Sequence, residues 1–172
     1  MLEKSEMDQL DTAWKIIMVI WGSLIFTLAV YLVVAKLVES QMNPLGVDFP
    51  LETMTIALFG VSLVAFIVTH YIRKAMLKVS DRAPIVAATR SQLTQSQHPA
   101  AGKYTTAIVV AMALSESIGI YGLVLFFLSK DSNTLYLFIL MSATAMFYYR
   151  PRKEELLQVA LEMQQQGSGR RV

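Results

Sequence analysis

The sequence predicts an all-α integral membrane protein with four transmembrane helices, both termini in the cytoplasm, and a short amphipathic helix near the C-terminus. Three observations carry this reading. Hydrophobic residues fill 55% of the 172 positions and charged residues only 16%, with a mean hydropathy of +0.49. About a quarter of a soluble domain is charged, so a fold with a polar outer shell is excluded, and so is disorder. The apolar residues fall into four blocks, and thirteen of the fifteen Lys and Arg lie in three of the segments that flank them. The absence of cysteine excludes a disulfide scaffold, a thiol nucleophile and a cysteine-ligated metal.

The first block, residues 16–35, is 20 residues without a charge. About 20 apolar residues cross the hydrocarbon core as a helix. The segment before it carries Glu3, Glu6, Asp8 and Asp11 against Lys4 and Lys15. A signal peptide wants a basic start, a shorter apolar region and a small-residue cleavage site, so the first helix is expected to be retained as an anchor. Residues 36–52 hold Pro44, Gly46 and Pro50 and read as a turn-rich outer loop. The second block, 53–72, is again free of charge.

Residues 73–103 form a long connection with six Lys and Arg. Within it SDRAP reads as a helix start, with Ser80 or Asp81 capping and Pro84 in the first turn, followed by a short amphipathic helix through IVAATRSQL. The third block, 104–129, holds one charge, Glu116. The turn at 130–133 is short enough to require an antiparallel helical hairpin. The fourth block, 132–149, is 18 residues long, with Lys130 and Arg150 at its ends to snorkel. In the tail, 150–172, Leu156, Val159, Ala160 and Met163 share one face, which predicts an amphipathic helix on the membrane or continuing the fourth span. The terminal GSGRRV reads as flexible. With four spans, thirteen Lys and Arg fall on one face and two, Lys36 and Lys130, on the other. The positive-inside rule then places both termini, the connection 73–103 and the tail 150–172 in the cytoplasm, as parts of a single membrane domain.

Of thirteen acidic residues, only Glu116 lies inside a block, and no Lys or Arg does. It stands about 18 Å along a helix from Tyr104, close to the bilayer midplane. An ionised carboxylate there costs at least about 2.5–3.5 kcal/mol. The group is therefore expected to be protonated for much of its life, to bind a cation, or to face a wet cavity. The alternative is a permanently protonated acid that hydrogen-bonds a neighbouring helix, with Ser115 and Ser117 beside it as partners.

The segment GKYTTAIVVAMALSESIGIYGLVLFFL resembles the C-terminal helix of the c subunit, or proteolipid, of rotary ATP synthases. In that family a Gly-Lys at the cytoplasmic end precedes the ion-carrying carboxylate by the spacing seen between Gly102-Lys103 and Glu116. The stretch from Ser117 to Val124 also looks like the family's. The resemblance covers about residues 100–127. It implies that Glu116 is the ion carrier, with Ser115 and Tyr121 as its surroundings. The second block has Gly60 alone, with Leu58, Phe59 and Phe66 as bulk, which predicts a monomer or low-order oligomer rather than a tight ring.

Ala111, Ser115 and Gly119 repeat every four residues, a small-residue stripe that with Gly122 permits close helix packing, within the chain or between copies. Trp14, Trp21, Tyr71, Tyr104, Tyr148 and Tyr149 read mostly as interfacial aromatics. His70 reads as an interfacial anchor and His98 as a solvated loop residue, and with one intramembrane acid they make no metal site. No nucleophile–base pair, phosphate loop or nucleic-acid module is present, so no enzyme, cofactor or nucleic-acid partner is expected. Two functions remain: a small multi-pass protein of the inner membrane with Glu116 as a reversible proton or sodium site in a hetero-complex, or a non-catalytic four-helix scaffold or assembly subunit in which Glu116 packs.

Overall fold

The computed structural model describes residues 4–41, 50–78 and 99–169. They form five helices: α1 (Lys4–Glu39), α2 (Leu51–Leu77), α3 (Pro99–Ser129), α4 (Ser132–Tyr148) and α5 (Lys153–Gly169), with no strand among the described residues. The expected short helix after SDRAP, the Pro44–Gly46 turn, His98 and the last residues of the tail lie outside them. α1, α2 and α3 are each long and apolar enough to cross a membrane. α4, with 17 residues, extends about 25 Å and is shorter than a full span.

α3 is the central helix. It packs against each of the other four and buries thirteen residues, where α1 buries five and α2 two. Its composition explains this. Ala, Gly and Ser recur along it, so neighbouring backbones approach closely, while Ile108, Met112, Leu125 and Phe126 fill the spaces between. α2 is the reverse case. Ile56, Leu63, Val64 and Ile67 stay exposed, as a lipid-facing surface requires. Its two buried hydroxyls, Ser62 and Thr69, donate to carbonyls one turn back in their own helix.

Side-chain contacts fix the directions. Gly122 lies against Phe138, and Ser142 Oγ donates to the Ser115 carbonyl at 2.7 Å, so α4 runs back antiparallel to α3. The turn between them is sharp. Lys130 adopts a left-handed backbone (φ 58°) and its N–H donates to the Phe126 carbonyl, closing α3 where glycine is usual. Asp131 then caps α4, its carboxylate accepting from the Asn133 and Thr134 backbone N–H groups and the Thr134 hydroxyl. α1 and α3 start at the same end. Asp11 pairs with Lys153 there, and Lys130 Nζ donates to the Glu39 carbonyl at the other. The end that holds Asp11, Arg73, Tyr104 and α5 is called basal below.

Two expectations change. α5 neither lies free on the membrane nor continues α4. The helix breaks at Tyr149, before Pro151, and the chain turns so that Leu156, Val159 and Ala160 are buried against α1 and α3. The basal ends of α1 and α3 supply the apolar cover, through Leu10, Ala13, Ala100 and Ala101. Tyr104 and Tyr149 are not interfacial aromatics either, being 0% and 1% exposed. Each faces the bundle because its hydroxyl has a partner there: the Arg152 backbone for Tyr104 and the Phe66 carbonyl for Tyr149. Tyr71 and Tyr148 do lie exposed.

Candidate functional site

Glu116 sits in the middle of α3, half-buried, on the side that meets α1. Its partner is Tyr31, whose hydroxyl donates to Glu116 Oε1 at 3.0 Å. The register of the two helices explains how they meet. Leu28 packs at Gly119, so Tyr31 lies about 9 Å beyond the level of Glu116 by helical rise. A helical side chain leans toward its own N-terminus, and that lean returns the Tyr31 hydroxyl to the carboxylate.

Ser115 and Tyr121 are elsewhere. Ser115 is buried against α4; its hydroxyl donates to the Ala111 carbonyl at 2.8 Å and its carbonyl accepts from Ser142. Tyr121 packs with Ile118, Leu125 and Phe138, beside Met54 and Leu58 of α2. The structure therefore brings neither to the carboxylate. Ser117 is likewise spent on its own helix, donating to the Leu114 carbonyl. The small residues Ala111, Gly119 and Gly122 are all buried. A Cβ on Gly119 would meet Leu28 and Ser142, and one on Gly122 would meet Phe138, so both glycines face neighbours within the chain.

Sequence reasoning missed Tyr31. A signal was available: Tyr31 is the one tyrosine inside the first charge-free block, in its last turn and a half. A phenol within an apolar run needs a hydrogen-bond partner, and Glu116 is the one carboxylate inside any of the four apolar blocks.

A second polar cluster lies at the basal end. The Arg73 guanidinium pairs with Glu155 of α5 and stands 5.9 Å over the Tyr149 ring. Tyr104 Oη accepts the Arg152 N–H at 2.8 Å and has the Arg152 carbonyl and Glu155 Oε2, at 3.0 and 3.3 Å, as acceptors for its own proton. These contacts tie the ends of α2, α3 and α4 to α5. The Arg73 and Glu155 side chains are only 17% and 29% exposed, so they form a half-buried joint rather than a solvated surface pair. Its chemistry is structural: the Arg73 guanidinium, Glu155 and Tyr104 are partnered within the cluster, while Arg73 Nε is buried without an acceptor among the described residues.

Among the described residues no three His, Cys, Asp or Glu side chains converge as a metal site would require. Glu116 and Tyr31 together offer one carboxylate and one hydroxyl, a pair suited to holding a proton or one small cation. No family model, curated protein or solved structure matches this chain.

Proposed function

We propose that this is a four-span inner-membrane protein, both termini cytoplasmic, in which Glu116 is a reversible proton or sodium site serving a larger membrane assembly. The observation that carries the reading is the Glu116–Tyr31 pair itself. It is a carboxylate at mid-membrane depth whose hydrogen-bond partner is a neutral hydroxyl rather than a cation. A carboxylate so placed is costly when ionised, and a single hydroxyl offsets that cost in part while leaving the proton free to be exchanged. The similarity of residues 100–127 to the ATP synthase c subunit points the same way. α4 serves as the fourth span because Lys130 and Arg150 flank it, and the split of Lys and Arg along the sequence, thirteen against two, supports the orientation.

A second reading rests on the same bond. Tyr31 and Glu116 join α1 to α3, and in a non-catalytic scaffold that bond would be helix glue. The two readings separate on exchange. A hydrophobic carbodiimide is expected to modify Glu116 alone, faster at lower pH, and sodium is expected to protect it if sodium is the ligand. Glu116→Gln is expected to leave the fold intact and abolish ion-coupled activity of the assembly reconstituted in vesicles. A fully active Gln variant, with no labelling at neutral pH, would leave the scaffold reading standing.

A further inference from the structure

A cavity of about 470 Å³ opens at the basal end between α1 and the turn that leads from α4 into α5. Its volume lies within the roughly 300–1,000 Å³ typical of small-ligand sites. The two walls differ in chemistry. Trp14, Met18 and Trp21 of α1 form an aromatic and apolar wall, and Arg150, Arg152 and Lys153 form a basic one. Cations outnumber carboxylates among the lining residues by three to one, the acid being Glu154.

Lys153 is held by Asp11 of α1 at 2.7 Å, which fixes the turn against α1. Arg150 and Arg152 are exposed and carry no ion pair with any described residue. The Trp14 ring belongs to the apolar wall, its indole N–H being buried. The rim includes the first turn of α5, a 17-residue helix whose leading N–H groups have no acceptor within the helix.

We propose that this cavity binds the phosphate of an anionic phospholipid headgroup. The argument for an anion is the basic wall: two guanidinium groups without an ion pair among the described residues, a Lys153 ammonium shared with Asp11, and a helix N-terminus. The argument for a lipid rather than a free phosphate is position. Trp14 and Met18 flank residue 16, where the 20-residue charge-free run of α1 begins, so the cavity straddles the level at which headgroups meet hydrocarbon. The apolar wall receives the glycerol and the first methylenes, while the basic wall takes the phosphate. The site is separate from Glu116, which lies along α3 near mid-membrane depth.

The chain contains two tryptophans and both line the cavity, so intrinsic fluorescence reports its occupancy directly. The full chain in a neutral detergent is titrated with dioctanoyl phosphatidylglycerol, dioctanoyl phosphatidylcholine and inorganic phosphate. A saturable tryptophan response to the glycerol lipid is expected, with the choline lipid about tenfold weaker or more and phosphate weaker still. Arg150→Gln with Arg152→Gln is expected to weaken phosphatidylglycerol binding about 10- to 30-fold, with helix content unchanged because both side chains are exposed. Lys15→Gln with Lys74→Gln removes as much charge without touching the lining and is expected to change nothing. The proposal is overturned by a response that does not saturate, by phosphate acting at the same concentration as the lipid, or by equal losses in the two double variants.

Discussion

Replacing Gly122 by alanine tests the packing of the α3–α4 hairpin at its tightest point. A methyl group there would lie 2.5 Å from Phe138 Cβ, 3.3 Å from Phe138 Cγ and 3.4 Å from the Leu135 carbonyl oxygen. Carbon atoms in contact prefer about 3.5–4.0 Å, so roughly 1 Å must be found. Phe138 Cβ cannot supply it by changing rotamer, because it is bonded directly to the backbone of α4. Phe138 is also fully buried and packed edge-on to Phe59 at 6.4 Å, so the helix itself must shift. Such overpacking costs about 1–3 kcal/mol, against a gain of up to about 1 kcal/mol from alanine's helix propensity. The net expectation is a loss of about 1–2 kcal/mol. Gly119→Ala is the internal contrast. Its closest neighbour is Leu28 Cδ2 at 2.8 Å, the free end of a flexible side chain, and Ser142 stands back at 3.4 Å. Strain and propensity then nearly cancel, to within about 0.5 kcal/mol. Gly60, with nothing within 4 Å, has only the propensity gain. Unfolding by SDS titration from mild detergent, followed by tryptophan fluorescence, is expected to rank Gly122→Ala lowest, wild type and Gly119→Ala together, and Gly60→Ala at or above them. A Gly122→Ala protein as stable as Gly60→Ala would refute this register of α3 against α4.

Two further outcomes are expected. The chain has no cysteine, so single cysteines placed at exposed Gln41 and Gln158 report sidedness without background. An impermeant thiol reagent on intact cells is expected to label position 41 and not 158, and the reverse pattern would invert the bundle. The second concerns the cap of α4. The Thr134 hydroxyl, with the Asn133 and Thr134 backbone N–H groups, holds the Asp131 carboxyl below the ordinary carboxylate range despite its partial burial. A depressed carboxylate adds stability that is complete above its unfolded value of about 3.9 and is lost as pH falls through the folded value. Asp131→Ala is therefore expected to cost about 1 kcal/mol at pH 7 and less at pH 3, and a gap of the same size at both pH values would show that the charge contributes nothing.

Much of the bundle was legible because bilayer physics writes it in long, simple blocks. Apolar runs at 16–35, 53–72 and 104–129, the last with one charge, became α1, α2 and α3, and the period of Leu156, Val159 and Ala160 marked the buried face of α5. The partner of that face was not legible, since an amphipathic stripe is the same pattern whether lipid or protein covers it. Tyr104 and Tyr149 show the same ambiguity. Near a span's end, an aromatic that faces lipid headgroups and one that faces the bundle have identical sequence positions. Only the rotation of the helix separates them, and that is decided by tertiary contacts such as the Tyr104–Arg152 hydrogen bonds. The surroundings of Glu116 failed for a related reason. Ser115 and Tyr121 are near it in sequence, but a helix turns about 100° per residue, and both sit with other neighbours. Tyr31 came from another helix, 85 positions away.

The central place of α3 bears on how Glu116 can work. Here α1 and α4 both pack on α3, and the carboxylate meets a hydroxyl supplied by its own chain. The hairpin of α2 and α3 is thus clasped by two helices that a bare two-helix unit lacks. On the proposed reading, an ion at Glu116 would meet a carboxylate whose Oε1 already accepts from Tyr31, with Oε2 left as a further acceptor. A phenol donates to the ionised carboxylate and can accept from the protonated acid, so one rotation of its O–H accommodates both states without moving a helix. In the proposed reading, α1 therefore closes the Glu116 site from the side, through Tyr31. The α2 face, with Gly60 open and Phe59, Val64 and Ile67 exposed, is a broad apolar surface among the described residues of the hairpin, left for lipid or for the rest of an assembly.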